Sequence, residues 1–293
     1  MDKNKLKALC LTLLGSFLSI YFSSDRFNYI SEIEKISNTK WDFLNSNGIF
    51  LVFFSSLLSF WDPQKIYAIY AIFINYISAR VFFKLLKTER ASLIGELYFL
   101  FFIFPLLTVQ LKTSLGISLA LIASIKLKSI ILSFFSIASH FSLVFIYFIT
   151  NRINTFKIIL ALILTAFLYN FIGHEKIKVY QEIYSLASSD LFFSFFNFKV
   201  IVVVIILIFA YIFRKNSINL SATRVVVIGI VTYYSFFSFP IFAHRLSELC
   251  FCYVPFLFKK TKMGNIQYVV FLILGSIIVF LGIIQSSNLW LVR

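Results

Sequence analysis

Long apolar runs, broken by short clusters of charge, dominate the chain. The first covers Leu6 to Phe22 and follows Lys3, Lys5 and Lys7. No small-x-small cleavage site follows it, so it is expected to be an uncleaved membrane span with its N-terminus inside, rather than a signal peptide. A polar stretch from Asp25 to Asn47 comes next and is expected outside. Residues 48–61 are apolar but number only 14, against the roughly 20 that a crossing takes. They are expected to form an interfacial or re-entrant helix, with Trp41 and Trp61 in an aromatic belt.

Further runs follow at 66–83, 92–108, 113–125, 129–150, 157–172, 199–213, 224–240, 246–258 and 266–285. The pattern therefore predicts an all-α polytopic integral membrane protein. It would be a single domain over 1–293 with about ten crossings and short re-entrant or interfacial helices. The larger outer loops are expected at about 24–47 and 173–198, the second carrying Tyr180, Tyr184 and Phe192, which can stack on sugar rings.

The number of crossings depends on 129–150. Read as one span, it sends Arg152 and Lys157 outside and inverts every later cluster. If the chain turns back near Ser139-His140, they fall inside with Arg214, Lys215, Arg224, Lys259, Lys260 and Lys262. The second arrangement puts most of the 27 Lys and Arg on the inner side, as the positive-inside rule prefers. Its cost is two short segments, tolerable as a broken helix pair around a cavity.

Composition supports the membrane assignment. Sixty per cent of the 293 residues are hydrophobic and 13% charged, with 39 Phe. A soluble domain has about 45–50% apolar and about 25% charged residues. Disorder, collagen and an ordinary soluble enzyme are excluded. The net charge of +15 would suggest nucleic acid on a soluble protein. Here the inner-side clusters account for it, and no nucleic-acid partner is expected. Cys10, Cys250 and Cys252 offer no disulfide framework, and the last two are expected in the core. There is no HExxH, no Walker glycine pattern and no GxSxG elbow, so no metal or cofactor is expected.

Ionisable side chains inside apolar runs mark function by default. Arg80 is expected to snorkel to the inner surface, and Glu96 to sit near the inner interface. His140 lies mid-run between Ser139 and Ser142. It suits proton transfer, and a hydrogen-bonded structural histidine accounts for it as well. Lys112, with Gln110 and Ser114, begins a run. It is either a snorkelling lysine or a fixed cation for an anionic group such as diphosphate. Arg245 and Glu248 are i,i+3 and are expected to pair, while His244 and Arg245 together can make an anion site. Asp25 is placed to cap a helix at Phe27 or Asn28, near Arg26 and Tyr29.

The order of these features resembles the EpsG-like family of bacterial polysaccharide polymerases, the Wzy-type O-antigen and capsule enzymes. Asp25 and Tyr29 after the first span form one match. The second is the block with Gln110, Lys112, a basic turn at Lys126 and Lys128, then His140 and Ser142. The third is Arg245 near the start of a late span. Lys112 stands where the family usually has Arg, and Ser24 where a Gly is common. The resemblance implies a glycosyltransferase of the bacterial inner membrane, with its N-terminus cytoplasmic and its active site facing the periplasm. The growing glycan would pass from undecaprenyl diphosphate to the next lipid-linked repeat unit, and a chain-length regulator would be a further partner. Lys112, Arg245 and His244 would meet the diphosphate, with Gln110, Tyr29 and Glu248 binding substrate, while His140 or Asp25 took the acceptor's proton. The alternatives are another membrane glycan enzyme, such as an O-antigen ligase or acyltransferase, and a lipid-linked oligosaccharide transporter. The first would usually carry a larger outer loop or an earlier Arg and His, and the second two similar halves.

Overall fold

The computed structural model describes residues 3–23, 25–39, 49–127, 129–139, 143–150, 197–214, 218–236, 240–257, 259, 269–270 and 272–281. Regular structure among them is helical throughout, without strands. The chain divides into two compact units, one of residues 1–144 and 275–293 and the other of residues 145–274.

The first unit opens with helix α1 (Lys3–Phe22). Helix α2 (Arg26–Thr39) follows, and then helix α3 (Ile49–Leu57). Nine residues make α3 about 14 Å long, too short to cross a bilayer. Helix α4 (Pro63–Thr88) starts with Asp62, whose carboxylate accepts the Gln64 N–H at 2.9 Å, and with Pro63 in the first turn, where a missing N–H costs nothing. It ends at Arg90, which adopts φ 49°, while the Ala91 N–H returns to the Leu86 carbonyl at 2.8 Å. This is a left-handed helix stop on a residue other than glycine.

Helix α5 (Leu93–Val109) is interrupted by a wide turn over Phe99–Ile103. Pro105 lies just beyond it. A proline ring cannot accommodate the carbonyl four residues back and donates no hydrogen bond, so the helix loosens there. Gln110 alone separates α5 from helix α6 (Leu111–Leu121, extended as a wide turn over Ile122–Leu127). Its N–H closes α5 on Leu106 at 3.0 Å and its carbonyl opens α6 on Ser114 at 2.8 Å. Helix α7 (Ile130–Ser139) packs on α6, and helix α8 (Val144–Thr150), which follows, belongs except for Val144 to the second unit. The turn expected at Ser139–Ser142 lies, with His140 and Ser142, outside the described residues. So do the expected span at 157–172 and all but the end of the outer loop at 173–198.

Hydroxyls and small residues bring the helices of this unit together. Ser19 Oγ donates to the Thr108 carbonyl at 2.6 Å and accepts from Asn75 Nδ2 at 3.0 Å, while Tyr67 Oη donates to the Ser19 carbonyl at 2.8 Å. Ser78 Oγ lies 2.7 Å from Ser114 Oγ and accepts from Ser118 Oγ at 3.1 Å. Ser136 Oγ donates to the Gly116 carbonyl at 2.9 Å, where a side chain at Gly116 would strike Leu143. Interhelical hydroxyls and close small-residue contacts are the usual cement where water cannot drive helices together.

The second unit contains helix α9 (Phe198–Arg214), helix α10 (Leu220–Ser235), helix α11 (Pro240–Phe251) and a short 3₁₀ turn at Val254–Phe256. Asn219 caps α10 through its side chain, and its own N–H reaches the Leu257 carbonyl at 2.7 Å. Gly229 lets α10 approach α11, because a Cβ there would lie 2.5 Å from the Cβ of Cys250. Cys250 and Cys252 are buried, unoxidised core residues, and Cys10 is exposed. Helix α12 (Leu272–Leu281) comes last, and within the first unit Gly275 packs on Leu97.

The exposed faces are apolar. Along α9, Ile201, Ile205, Ile208 and Ile212 are exposed, at spacings of one helical turn, while Val203, Ile206 and Phe209 on the opposite face are buried. The same holds for Leu6, Leu13 and Phe17 of α1, Ile130, Ile131 and Phe134 of α7, and Ile273, Ile277 and Phe280 of α12. Apolar residues on both faces are not what a water-facing helix carries. Among the described residues two helices are long and apolar enough to cross a membrane, at Lys5–Phe22 and Pro63–Thr88. The other apolar helices run 10–17 residues. About ten crossings were expected, and the described residues show two helices of that length, with the expected break between 92–108 and 113–125 falling at Gln110.

Candidate functional site

The first cluster forms where α2 lies over the start of α6. Asp25 opens α2, its carbonyl accepting the Tyr29 N–H at 3.0 Å. Its own N–H is received by Ser23 Oγ at 3.3 Å. Tyr29, Ile33 and Ile36 recur at helical spacing and are all buried, against Tyr67, Tyr70, Leu111 and Leu115. The Tyr29 ring lies 5.8 Å from that of Tyr67 and 6.4 Å from that of Tyr70. Glu32 follows on the same face and is half-buried.

Lys112, the second residue of α6, meets this face at three points. Its backbone N–H donates to Tyr29 Oη at 3.0 Å. Its ammonium pairs with Glu32 Oε2 and stands 5.3 Å from the centre of the Tyr29 ring. A helix N-terminus leaves its first N–H groups without partners and repels a cation. Tyr29 relieves the first problem and Glu32 the second. Burial, with the nearby Tyr70 next in weight, raises the Tyr29 phenol well above its usual pKa, so it stays neutral and can accept the amide. Glu32 Oε1 is buried and has no hydrogen-bond partner among the described residues.

The Lys112 ammonium is thus held by a partner within the chain. Its side chain is 11% exposed and paired, because α2 folds back over it and supplies both an anion and a ring. Of the residues expected in the site, Asp25, Tyr29, Gln110 and Lys112 meet at this end of the first unit, Gln110 being the half-buried hinge that aims Lys112.

The second cluster belongs to the second unit. Asn197 caps α9, its Oδ1 accepting the Lys199 N–H at 2.9 Å. The Lys199 ammonium reaches Glu248 Oε1 on α11. His244, one turn before Glu248, places Nδ1 3.2 Å from the same oxygen. Lys199 and Glu248 are 7% and 8% exposed and His244 20%. Cys252 Sγ donates to the Glu248 carbonyl at 3.3 Å, and Ser247 Oγ to the His244 carbonyl at 2.9 Å.

The expected Arg245–Glu248 pair does not form. Glu248 turns to the face that carries His244 and meets α9, whereas Arg245 is exposed on another face. Glu32 and Lys199 were not anticipated. Lys199 is an isolated cation at the head of the run FKVIVVVIILIF, the same signal that singled out Lys112. Glu32 shares the helical face of Asp25 and Tyr29, a relation that the helix start expected at Asp25 could have shown had its length been followed.

Comparison with family models, with curated proteins and with solved structures finds no match to this chain.

Proposed function

We propose that the chain is a membrane oligosaccharide repeat-unit polymerase of the Wzy type. It transfers a growing glycan from undecaprenyl diphosphate to the next lipid-linked repeat unit at the outer face of a bacterial inner membrane. About ten crossings and re-entrant segments are part of this proposal, as the apolar exposed faces of α1, α7, α9 and α12 suit lipid. The observation that carries it is the meeting of Tyr29 and Lys112. They come from two separate segments that resemble the polymerases, and Tyr29 Oη accepts the Lys112 amide at 3.0 Å.

The reaction makes one bond and breaks another. The acceptor hydroxyl loses its proton as its oxygen attacks the anomeric carbon of the donor glycan. The bond from that carbon to the diphosphate breaks, and the electron pair leaves with the polyprenyl diphosphate. Fixed cations stabilise the charge that develops on the leaving group. Lys112 is assigned this part. Lys112 must exchange Glu32 for phosphate oxygens, or hold both, as substrate arrives. Asp25 and His140 are assigned to acceptor binding and activation.

Deleting the gene and resolving the surface polysaccharide on a gel tests the proposal. Collapse of a ladder to single repeat units, reversed by complementation, is the expected result. Complete loss of surface glycan would indicate a flippase or ligase instead. An unchanged ladder would remove the glycan reading.

A further inference from the structure

Lys112 alone makes a weak cradle for a diphosphate. Its charge is already matched by Glu32. The leaving group carries two phosphoryl groups, and an ammonium meets them as a point charge, without the planar fork of a guanidinium. A second cation stands nearby in the same unit. Arg26 is the first residue of α2 and lies one turn before Tyr29 on the same helical face. Tyr29 in turn meets Lys112 through both its hydroxyl and its ring.

Arg26 is half-buried. Its backbone N–H is received by the Ser23 carbonyl at 3.2 Å, and its guanidinium carbon stands 5.9 Å from the centre of the Phe27 ring. Its side chain makes no hydrogen bond or ion pair among the described residues, and Nε is buried without an acceptor. Glu32, the carboxylate further along α2, is taken by Lys112. A guanidinium does not deprotonate, and the positive end of the α2 dipole opposes a cation there. A charge withdrawn from water with no anion beside it is costly. An anion brought by a ligand removes that cost.

We infer that Arg26 is the second cation of the diphosphate site, gripping one phosphoryl group through its fork while Lys112 meets the other. This rests on the polymerase proposal for the identity of the ligand. Phe27, 77% exposed beside it, offers apolar surface to the polyprenyl chain of the same ligand.

Native mass spectrometry of the purified full chain in detergent tests this, with undecaprenyl diphosphate, undecaprenyl monophosphate and phosphatidylglycerol as probes. Arg26→Gln is expected to weaken undecaprenyl diphosphate binding by about tenfold or more. The monophosphate, which Lys112 can hold alone, is expected to lose much less. Arg26→Lys restores the charge but not the fork, and is expected to fall between wild type and Arg26→Gln. Thermal unfolding without ligand is expected to match wild type in both variants, since the side chain bonds to nothing within the chain. Undiminished binding of undecaprenyl diphosphate by Arg26→Gln overturns the inference. So does an equal loss of all three lipids, which would make Arg26 an anchor for any anionic headgroup. If Arg26→Gln does not fold, Arg26→Lys carries the test, and full affinity there overturns the two-pronged grip. Elongation of undecaprenyl-diphosphate-linked repeat units is read on the same preparations. A wild-type chain that binds undecaprenyl diphosphate through Arg26 but elongates nothing overturns the polymerase proposal and leaves the role of Arg26 standing. Elongation by wild type with undiminished binding in Arg26→Gln overturns the role of Arg26 alone.

Discussion

Lys112 and Lys199 meet the same difficulty in the same way. Each is the second residue of an apolar helix, where the helix dipole opposes a cation, and each is matched by a glutamate from a different helix. Removing one partner of a buried pair leaves the other charge stranded. Lys112→Met should therefore cost about 3 kcal/mol of stability, and Lys112→Met/Glu32→Met should recover most of that loss in denaturant titrations in detergent. An equal loss in both variants would show that the pair itself contributes little. Tyr29→Phe keeps the ring over Lys112 but removes the acceptor of its amide, for a cost of about 1–2 kcal/mol in the same assay. At this scale the sequence revealed the lysine at position 112 by its isolation, but not its partner. Glu32 lies 80 residues away from it, and only the packing of α2 on α6 brings the two together.

Helices meet where their residues are small. At Gly229 a methyl group would lie 2.5 Å from the Cβ of Cys250, an atom fixed to the backbone of α11. At Gly15 the nearest atoms are side-chain atoms, Thr108 Cγ2 at 3.0 Å and Asn75 Oδ1 and Phe104 Cζ at 3.2 Å. Gly229→Ala should thus force α10 and α11 apart, with a loss of about 1–3 kcal/mol, while Gly15→Ala should cost less because side chains can turn aside. Thermal unfolding of the two variants in one detergent checks the order. The all-helical character was legible in the sequence, since its long apolar runs and its excess of apolar over charged residues call for membrane helices. The break between the runs 92–108 and 113–125 was legible too, and the structure narrows it to Gln110, which both ends α5 and begins α6. In the polar outer segment Asp25–Asn47 a helix start was expected at Asp25, but not the 14-residue length of α2, whose apolar side is confined to Tyr29, Ile33 and Ile36.

For the molecule as a whole, the proposed orientation rests on charge. The +15 excess fits an inner face rich in Lys and Arg and an outer face near neutral. In a cysteine-free background, Ser31→Cys in α2 should react with an impermeant maleimide added from outside. Thr88→Cys, at the end of α4 beside Lys84, Lys87 and Arg90, should react only after the membrane is opened. The opposite pattern would invert the topology and place the Tyr29–Lys112 cluster on the wrong side for polymerisation. The most direct test of the central claim uses purified chain reconstituted in liposomes with undecaprenyl-diphosphate-linked repeat units from its own host. Glycans of two or more repeats, accumulating with release of undecaprenyl diphosphate and without added nucleotide sugar, are the predicted result. Repeat units that stay single under these conditions, with correctly folded and oriented protein, would contradict it.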